Sequence, residues 1–315
     1  MKLNETARRI LTGCLAAKAG EAVLVVTDDT RLAIGTAFYE AAQNLGCRAM
    51  LMRMPEGTVN GEEPPEAVAA AMAAADIVLC PTAKSLTHTN ARITASRAGA
   101  RIATMPGITE DMFSEGAMTA DYETVQQLTQ RVAELLSNAS TARIEKDGCS
   151  LSLDLRGRKG IASTGVYPEP GNSGNLPSGE AYIAPVEGGT CGQVVVDGSM
   201  VGIGMLSAPL RFTIKDGKLC NIEGDESGAL GVLMKNEANA TVGELGIGTN
   251  SAAILKGIIL EDEKVYGTVH IAFGTNTSFG GVNKAGCHMD GVILKPTLYL
   301  DEKIVIDQGT FVLDQ

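Results

Sequence analysis

The hydrophobic pattern of this chain changes period near residue 141, and that change restricts its fold more than any single motif does. Before it, apolar runs of strand length alternate with stretches of helical spacing. Residues 3–18 place Ala7, Ile10, Leu11, Cys14 and Leu15 on one helical face. Residues 22–26 (AVLVV) read as a strand buried on both faces. Further strands are expected over 48–52, 76–80 and 100–104, with helices over 65–75, 89–98 and 120–137 between and after them. Such alternation predicts a doubly wound α/β domain with a parallel sheet over residues 1–141. No glycine-rich dinucleotide fingerprint follows the first strand and no P-loop is present, so the architecture does not name a ligand.

Beyond residue 141 the period falls to two. Ser150-Leu151-Ser152-Leu153-Asp154-Leu155 alternates strictly, and glycine pairs and Asp-Gly steps recur as turn markers. Residues 212–222 form the clearest hairpin, two alternating strands about Asp216-Gly217. One helix is expected over 226–236. The expectation is therefore a β-rich α+β domain over residues 142–315.

Charge removes whole classes of partner. With 26 basic against 37 acidic side chains the formal net charge is −11, which repels phosphate backbones and anionic lipid. Aromatics are only 4% and Trp is absent, so a base-stacking platform is excluded as well. Neither nucleic acid nor a membrane is an expected partner; a small molecule or short peptide is. The seven cysteines are scattered with no C-x-x-C pair, which fits free thiols in a reducing compartment. With no secretory pattern at the start of the sequence, a cytoplasmic protein is expected.

The chemistry gathers in the β-rich half. Only three histidines occur, His88, His270 and His288. In His288-Met289-Asp290 the imidazole and carboxylate share one side of an extended segment, and His270 lies in an alternating run ending at Gly274. Glu180 and Glu244 are single acids among small and apolar neighbours with no local Lys or Arg. Burying a carboxylate unpaired costs on the order of several kcal/mol, so these segments are either solvated loops or cation sites. His88 reads as a helix-start residue, Cys287 as a spectator thiol, and 261–264 (EDEK) as a solvated turn. The glycine-rich stretch 246–251 reads as a turn beside a strand, since no Lys follows it to complete a phosphate cradle.

Pro177-Ser178-Gly179-Glu180, Gly243-Glu244-Leu245, His270-Ile271-Ala272-Phe273-Gly274 and His288-Met289-Asp290 occur in the order of the metal motifs of a known family. Over residues 170–305 the chain resembles the aminopeptidase T-like thermophilic metalloproteases, which are dinuclear-metal aminopeptidases. The resemblance implies Glu180, Glu244, His270, His288 and Asp290 as ligands of two divalent ions (Zn, Co or Mn), with Glu244 or Glu187 as general base. It also implies a homodimer. The expected activity is a metallo-aminopeptidase-like hydrolysis of a small amide or peptide by metal-activated water. One departure stands out: the family's catalytic Tyr position is Thr277 here, whose shorter hydroxyl cannot reach the same point. A sibling branch, the mononuclear iron enzymes that open 2,5-dihydroxypyridine rings, supplies the alternative. On that reading His270, His288 and Asp290 form an Fe(II) facial triad.

Overall fold

The computed structural model describes residues 2–225 and 228–313. Two compact units share the chain, one made of Met1–Gln126 and Thr164–Ser178, the other of Gln127–Ser163 and Gly179–Gln315.

The first unit is built on a five-stranded parallel sheet. Its order is Arg48–Arg53, Ala22–Thr27, Ile77–Thr82, Arg101–Pro106 and Ser173–Asn175. The central run Val23 to Val26 is fully buried, as an apolar run without alternation must be when both sheet faces are covered. Helices Leu32–Asn44, Glu66–Ala73 and Asn90–Arg97 connect the strands. Thr89 caps the last of these by accepting from the Arg92 amide, and its neighbour His88 is exposed. The first helix is shorter than its spacing suggested. It runs over Lys2–Arg9, passes into a π-helical turn at Ile10–Cys14, and ends before Ala16, whose φ is 47°.

The second unit consists of two antiparallel sheets. One has eight strands and includes Thr141–Lys146, Cys149–Asp154, Thr190–Val196 and the hairpin Leu210–Lys215/Lys218–Glu223. Asp216 and Gly217 turn that hairpin with φ of 51° and 74°, the left-handed pair a tight hairpin requires. The other sheet has seven strands, ordered Gly204–Met205, Ser199–Met200, His288–Ile293, Val269–Gly274, Val242–Gly248, Glu180–Ile183 and Ile161–Ser163. Both contribute to one apolar core, where Phe212 and Phe273 meet edge to face at 5.3 Å. The expected class, a parallel α/β part and a β-rich part, is the class observed.

The helix expected over 226–236 does not form as one element. Glu226 and Ser227 lie outside the described residues; after them come a 3-10 turn at Ala229–Val232 and a helix at Glu237–Ala240. The break follows from chemistry already in the sequence. Asn236 caps the later helix through the Asn239 amide, and an N-cap residue leaves helical φ/ψ. No helix among the described residues is long and apolar enough to cross a membrane.

Candidate metal centre

The seven-stranded sheet sorts its side chains by register. Ala181, Ile183, Leu245, Ile247, Val269, Ile271, Phe273, Met289 and Ile293 all belong to the apolar core. Period-two alternation then sends Glu180, Tyr182, Glu244, His270, His288 and Asp290 to the opposite face. Cross-strand pairing completes the gathering: Gly246 lies opposite both His270 and Tyr182, Ala272 opposite Asp290, and Gly274 opposite His288. Gly246 is a clearance. A Cβ there would fall inside the van der Waals envelope of His270 Nε2, so only glycine lets the ring lie across the strand. The stretch 246–251 is thus partly strand, with Gly246 and Gly248 inside Val242–Gly248, where a turn was expected.

The resulting cluster is buried. Glu180, Glu244 and Asp290 are 8%, 6% and 6% exposed and His270 is fully buried, while His288 is half-buried. His270 Nε2 lies 3.3 Å from Glu244 Oε1 and 3.5 Å from Glu180 Oε2. His288 Nε2 lies 3.4 Å from Glu244 Oε2 and 3.5 Å from Asp290 Oδ1. Glu244 therefore reaches one imidazole with each oxygen. Three sets of donor atoms converge within 4.8 Å: Glu180–Glu244–His270, Glu244–His288–Asp290, and Glu263–His270–Asp290. All five expected ligand residues are in one cluster.

Charge balance argues for a cation. His288 Nδ1 lies 2.9 Å from the Thr275 carbonyl, which can only accept, so Nδ1 carries the proton and Nε2 turns its lone pair toward two carboxylates. In the protein without metal, both imidazoles resolve that conflict by protonating. Burial opposes the charge on His270, but Glu244 and Glu180 outweigh it and raise the pKa to about 9. At His288 burial again opposes, and Asp290 and Glu244 raise the pKa to about 12. Burial pushes the Glu244 carboxyl up, and the two imidazoles more than reverse this, holding it well below the usual range. His270 Nδ1 and Asp290 Oδ1 are buried with no hydrogen-bond partner among the described residues. Two imidazoles and carboxylates whose lone pairs converge are the donor chemistry of a divalent transition metal.

Two residues of the cluster escaped the sequence reading. Residues 261–264 were expected to be a solvated turn; instead Glu261, Asp262 and Lys264 are 0%, 0% and 1% exposed. Glu261 and Asp262 accept from the Ile254 and Lys256 amides and so hold the preceding loop, which is why the turn folds inward. Lys264 Nζ donates to Glu180 Oε1 at 2.9 Å and to Glu263. Burial works against the Lys264 charge, yet those two carboxylates keep its pKa raised. A run of mixed charge carries no signal separating this from a surface turn.

The remaining candidates lie differently. Glu187 is in none of the three donor sets; its carboxylate pairs with Arg158 and accepts from Asn276 Nδ2 at 3.0 Å and the Val282 amide at 2.8 Å. Thr277 is exposed, at the start of a 3-10 turn over Thr277–Phe279. That turn instead presents Phe279, whose ring stands edge-on to His288 at 6.0 Å and to Tyr182 at 5.4 Å. Tyr182 and Phe279 thus give the cluster an aromatic border.

Comparison with known proteins settles the lineage. Residues 2–313 match the family model described as NicX: 2,5-dihydroxypyridine 5,6-dioxygenase. The chain belongs to the NicX family. Among solved structures, 2,5-dihydroxypyridine dioxygenase from Pseudomonas putida KT2440 is similar at a TM-score of 0.81 and 21% identity, covering 99% of this chain and 97% of that one. AmpT from Thermus thermophilus is similar at a TM-score of 0.72 and 15% identity, covering 99% of both chains. Comparison with curated proteins gives no match. The expectation of an aminopeptidase-like hydrolase is overturned: NicX membership spans nearly the whole chain, and the AmpT likeness is one of fold. The physical sign agrees. Where the peptidase family places its Tyr, this NicX-family chain has an exposed Thr277.

Proposed function

We propose that this protein is a ring-cleaving dioxygenase that uses one ferrous ion to open a dihydroxypyridine-like aromatic. The observation that carries the reading is the NicX family match over residues 2–313. His270, His288 and Asp290, drawn from the overlapping donor sets, would hold the iron, and two imidazoles with one carboxylate leave coordination positions for other ligands. Bound there, ferrous iron supplies the redox chemistry that makes dioxygen reactive toward an electron-rich ring.

The chain's own residues do the rest. The Thr275 carbonyl fixes the His288 tautomer so that Nε2 is the ligating atom. Tyr182 and Phe279 border the cluster with faces and edges suited to a flat ring. Glu244, held ionised beside both imidazoles, is the acceptor we assign to a substrate hydroxyl proton. In the overall reaction one ring carbon–carbon bond breaks and both atoms of dioxygen enter the product.

The test is oxygen consumption. Metal-stripped protein is loaded anaerobically with Fe(II), mixed with 2,5-dihydroxypyridine and exposed to air-saturated buffer. Equimolar loss of oxygen and substrate is expected, abolished in His288→Ala. Absence of uptake by fully iron-loaded protein overturns the reading.

A further inference from the structure

Each pair of the three donor sets shares one residue, and in one pair the shared residue is a carboxylate with both oxygens engaged. Glu180–Glu244–His270 and Glu244–His288–Asp290 share Glu244, whose Oε1 faces His270 at 3.3 Å and whose Oε2 faces His288 at 3.4 Å. A carboxylate with one oxygen in each of two donor sets is the geometry of a bridging ligand between paired cations. Across Glu244, the donor atoms offer one place on each side for an ion.

A positive charge already stands against the Glu180 side of the first place. Lys264 Nζ sits 2.9 Å from Glu180 Oε1, also bonds Glu263, and belongs to a residue 1% exposed to solvent. Glu180 is left to face His270 with its other oxygen, Oε2, at 3.5 Å. A divalent ion bound to Glu180 would stand beside this ammonium in a pocket where water screens little, so the two cations would repel strongly. The ammonium cannot swing away cheaply either, because moving it strands a charge in the interior.

We propose that Lys264 is a resident cation that takes Glu180 out of the first donor set, and that it thereby restricts the centre to one divalent ion on the side of His288 and Asp290. Glu180 is then the partner of Lys264 and not a metal ligand. This deepens the single-iron reading above and rests on it for the identity of the ion. A centre of this kind converts between one-metal and two-metal forms through a single buried charge, without any change of its ligand residues.

Zinc tests the proposal without any turnover. Metal-stripped wild type and Lys264→Met, which keeps the side-chain length and removes the charge, are titrated with Zn(II) and counted by calorimetry and elemental analysis. One ion per chain is expected for the wild type and two for Lys264→Met, with the second lost again in Lys264→Met/Glu180→Gln. Two ions on the wild type overturn the proposal, as does one ion on a Lys264→Met protein with native circular dichroism. Should Lys264→Met fail to fold, Glu180→Gln in the Lys264 background decides: loaded with Co(II), its visible spectrum is expected to match wild type. A changed ligand-field spectrum would make Glu180 a ligand and overturn the proposal. The two readings fail separately. One zinc with no oxygen uptake by the iron form removes the dioxygenase assignment alone; two zincs with uptake removes only the role of Lys264.

Discussion

At the scale of single residues, the centre depends on what a glycine leaves empty as much as on the donors. Gly246 faces His270 across the pair of strands, and any Cβ at that position would overlap Nε2. Gly246→Ala is therefore expected to fold but to displace the imidazole. Orientation losses of this kind cost metal affinity about 10–100-fold. Zinc titration of the purified variant checks it, and an affinity equal to wild type would show that the ring has room to move. The strain belongs with overpacking, which costs on the order of 1–3 kcal/mol, so a modest fall in urea midpoint should accompany the affinity loss.

At the scale of elements, register is the decisive quantity. Leu245 and Ile247 face the core while Glu244 and Gly246 face the cluster. A slip of one residue would exchange the two sets, turning the acid into the apolar core and the leucine into the polar cluster. The apolar alternation thus fixes the donors' orientation before any metal arrives. The 276–282 segment is positioned separately, through the Glu187 carboxylate that ties Asn276 and Val282 to Arg158. Glu187→Ala removes the acceptor for both and leaves the Arg158 guanidinium, whose side chain is 15% exposed, with the Gly280 carbonyl but no carboxylate to balance its charge. We expect a loss of about 1–3 kcal/mol in urea unfolding, with zinc stoichiometry unchanged. Turnover abolished in a variant of undiminished stability would instead return Glu187 to the role of general base.

For the whole molecule, the cluster links stability to protons and metal. Without metal, His270 and His288 have pKa values raised to about 9 and about 12 from an ordinary 6.5. A group whose folded pKa is raised contributes its full stability below the unfolded value and loses it as pH climbs through the folded one. The metal-free protein is therefore expected to weaken between about pH 7 and pH 10 as His270 loses its proton. A bound divalent ion takes the protons' place, so the loaded protein should hold its stability over that range, and metal uptake should release protons. Urea midpoints of chelator-treated and zinc-loaded protein across this range test both statements. A metal-free midpoint that rises with pH would refute them. Near neutral pH, metal at about a hundred times its dissociation constant should add about 2.7 kcal/mol of stability, which a chelator removes.

Much of this molecule is legible in its sequence. The change of hydrophobic period near residue 141 carried the class of fold, because periods of 3.6 and 2 are direct images of helix and strand geometry. The Asp216-Gly217 hairpin was legible for a similar reason: few residues adopt two successive positive φ angles. The five expected donor residues gather in one cluster because alternation in adjoining strands is a local rule with a long-range result. Sequence order pointed to hydrolysis, with ring cleavage as the alternative, and the family match reversed that order; the motifs could not, since both branches share them.

What tertiary structure alone decided has one physical cause: it concerns which distant groups share a volume. Ser173–Asn175 becomes the fifth parallel strand, and residues 164–178 join the first unit, by pairing with a partner about 70 positions earlier. Lys264 lies in a run with every mark of a surface turn, and only packing against Glu180 and Glu263 makes it a buried charge. Phe279 is an ordinary aromatic until its turn sets it against His288 and Tyr182. Local pattern determines the direction in which a side chain points, since that follows from backbone period. What the side chain meets there depends on charges and volumes supplied by other parts of the chain, and these exist as neighbours only once it has folded.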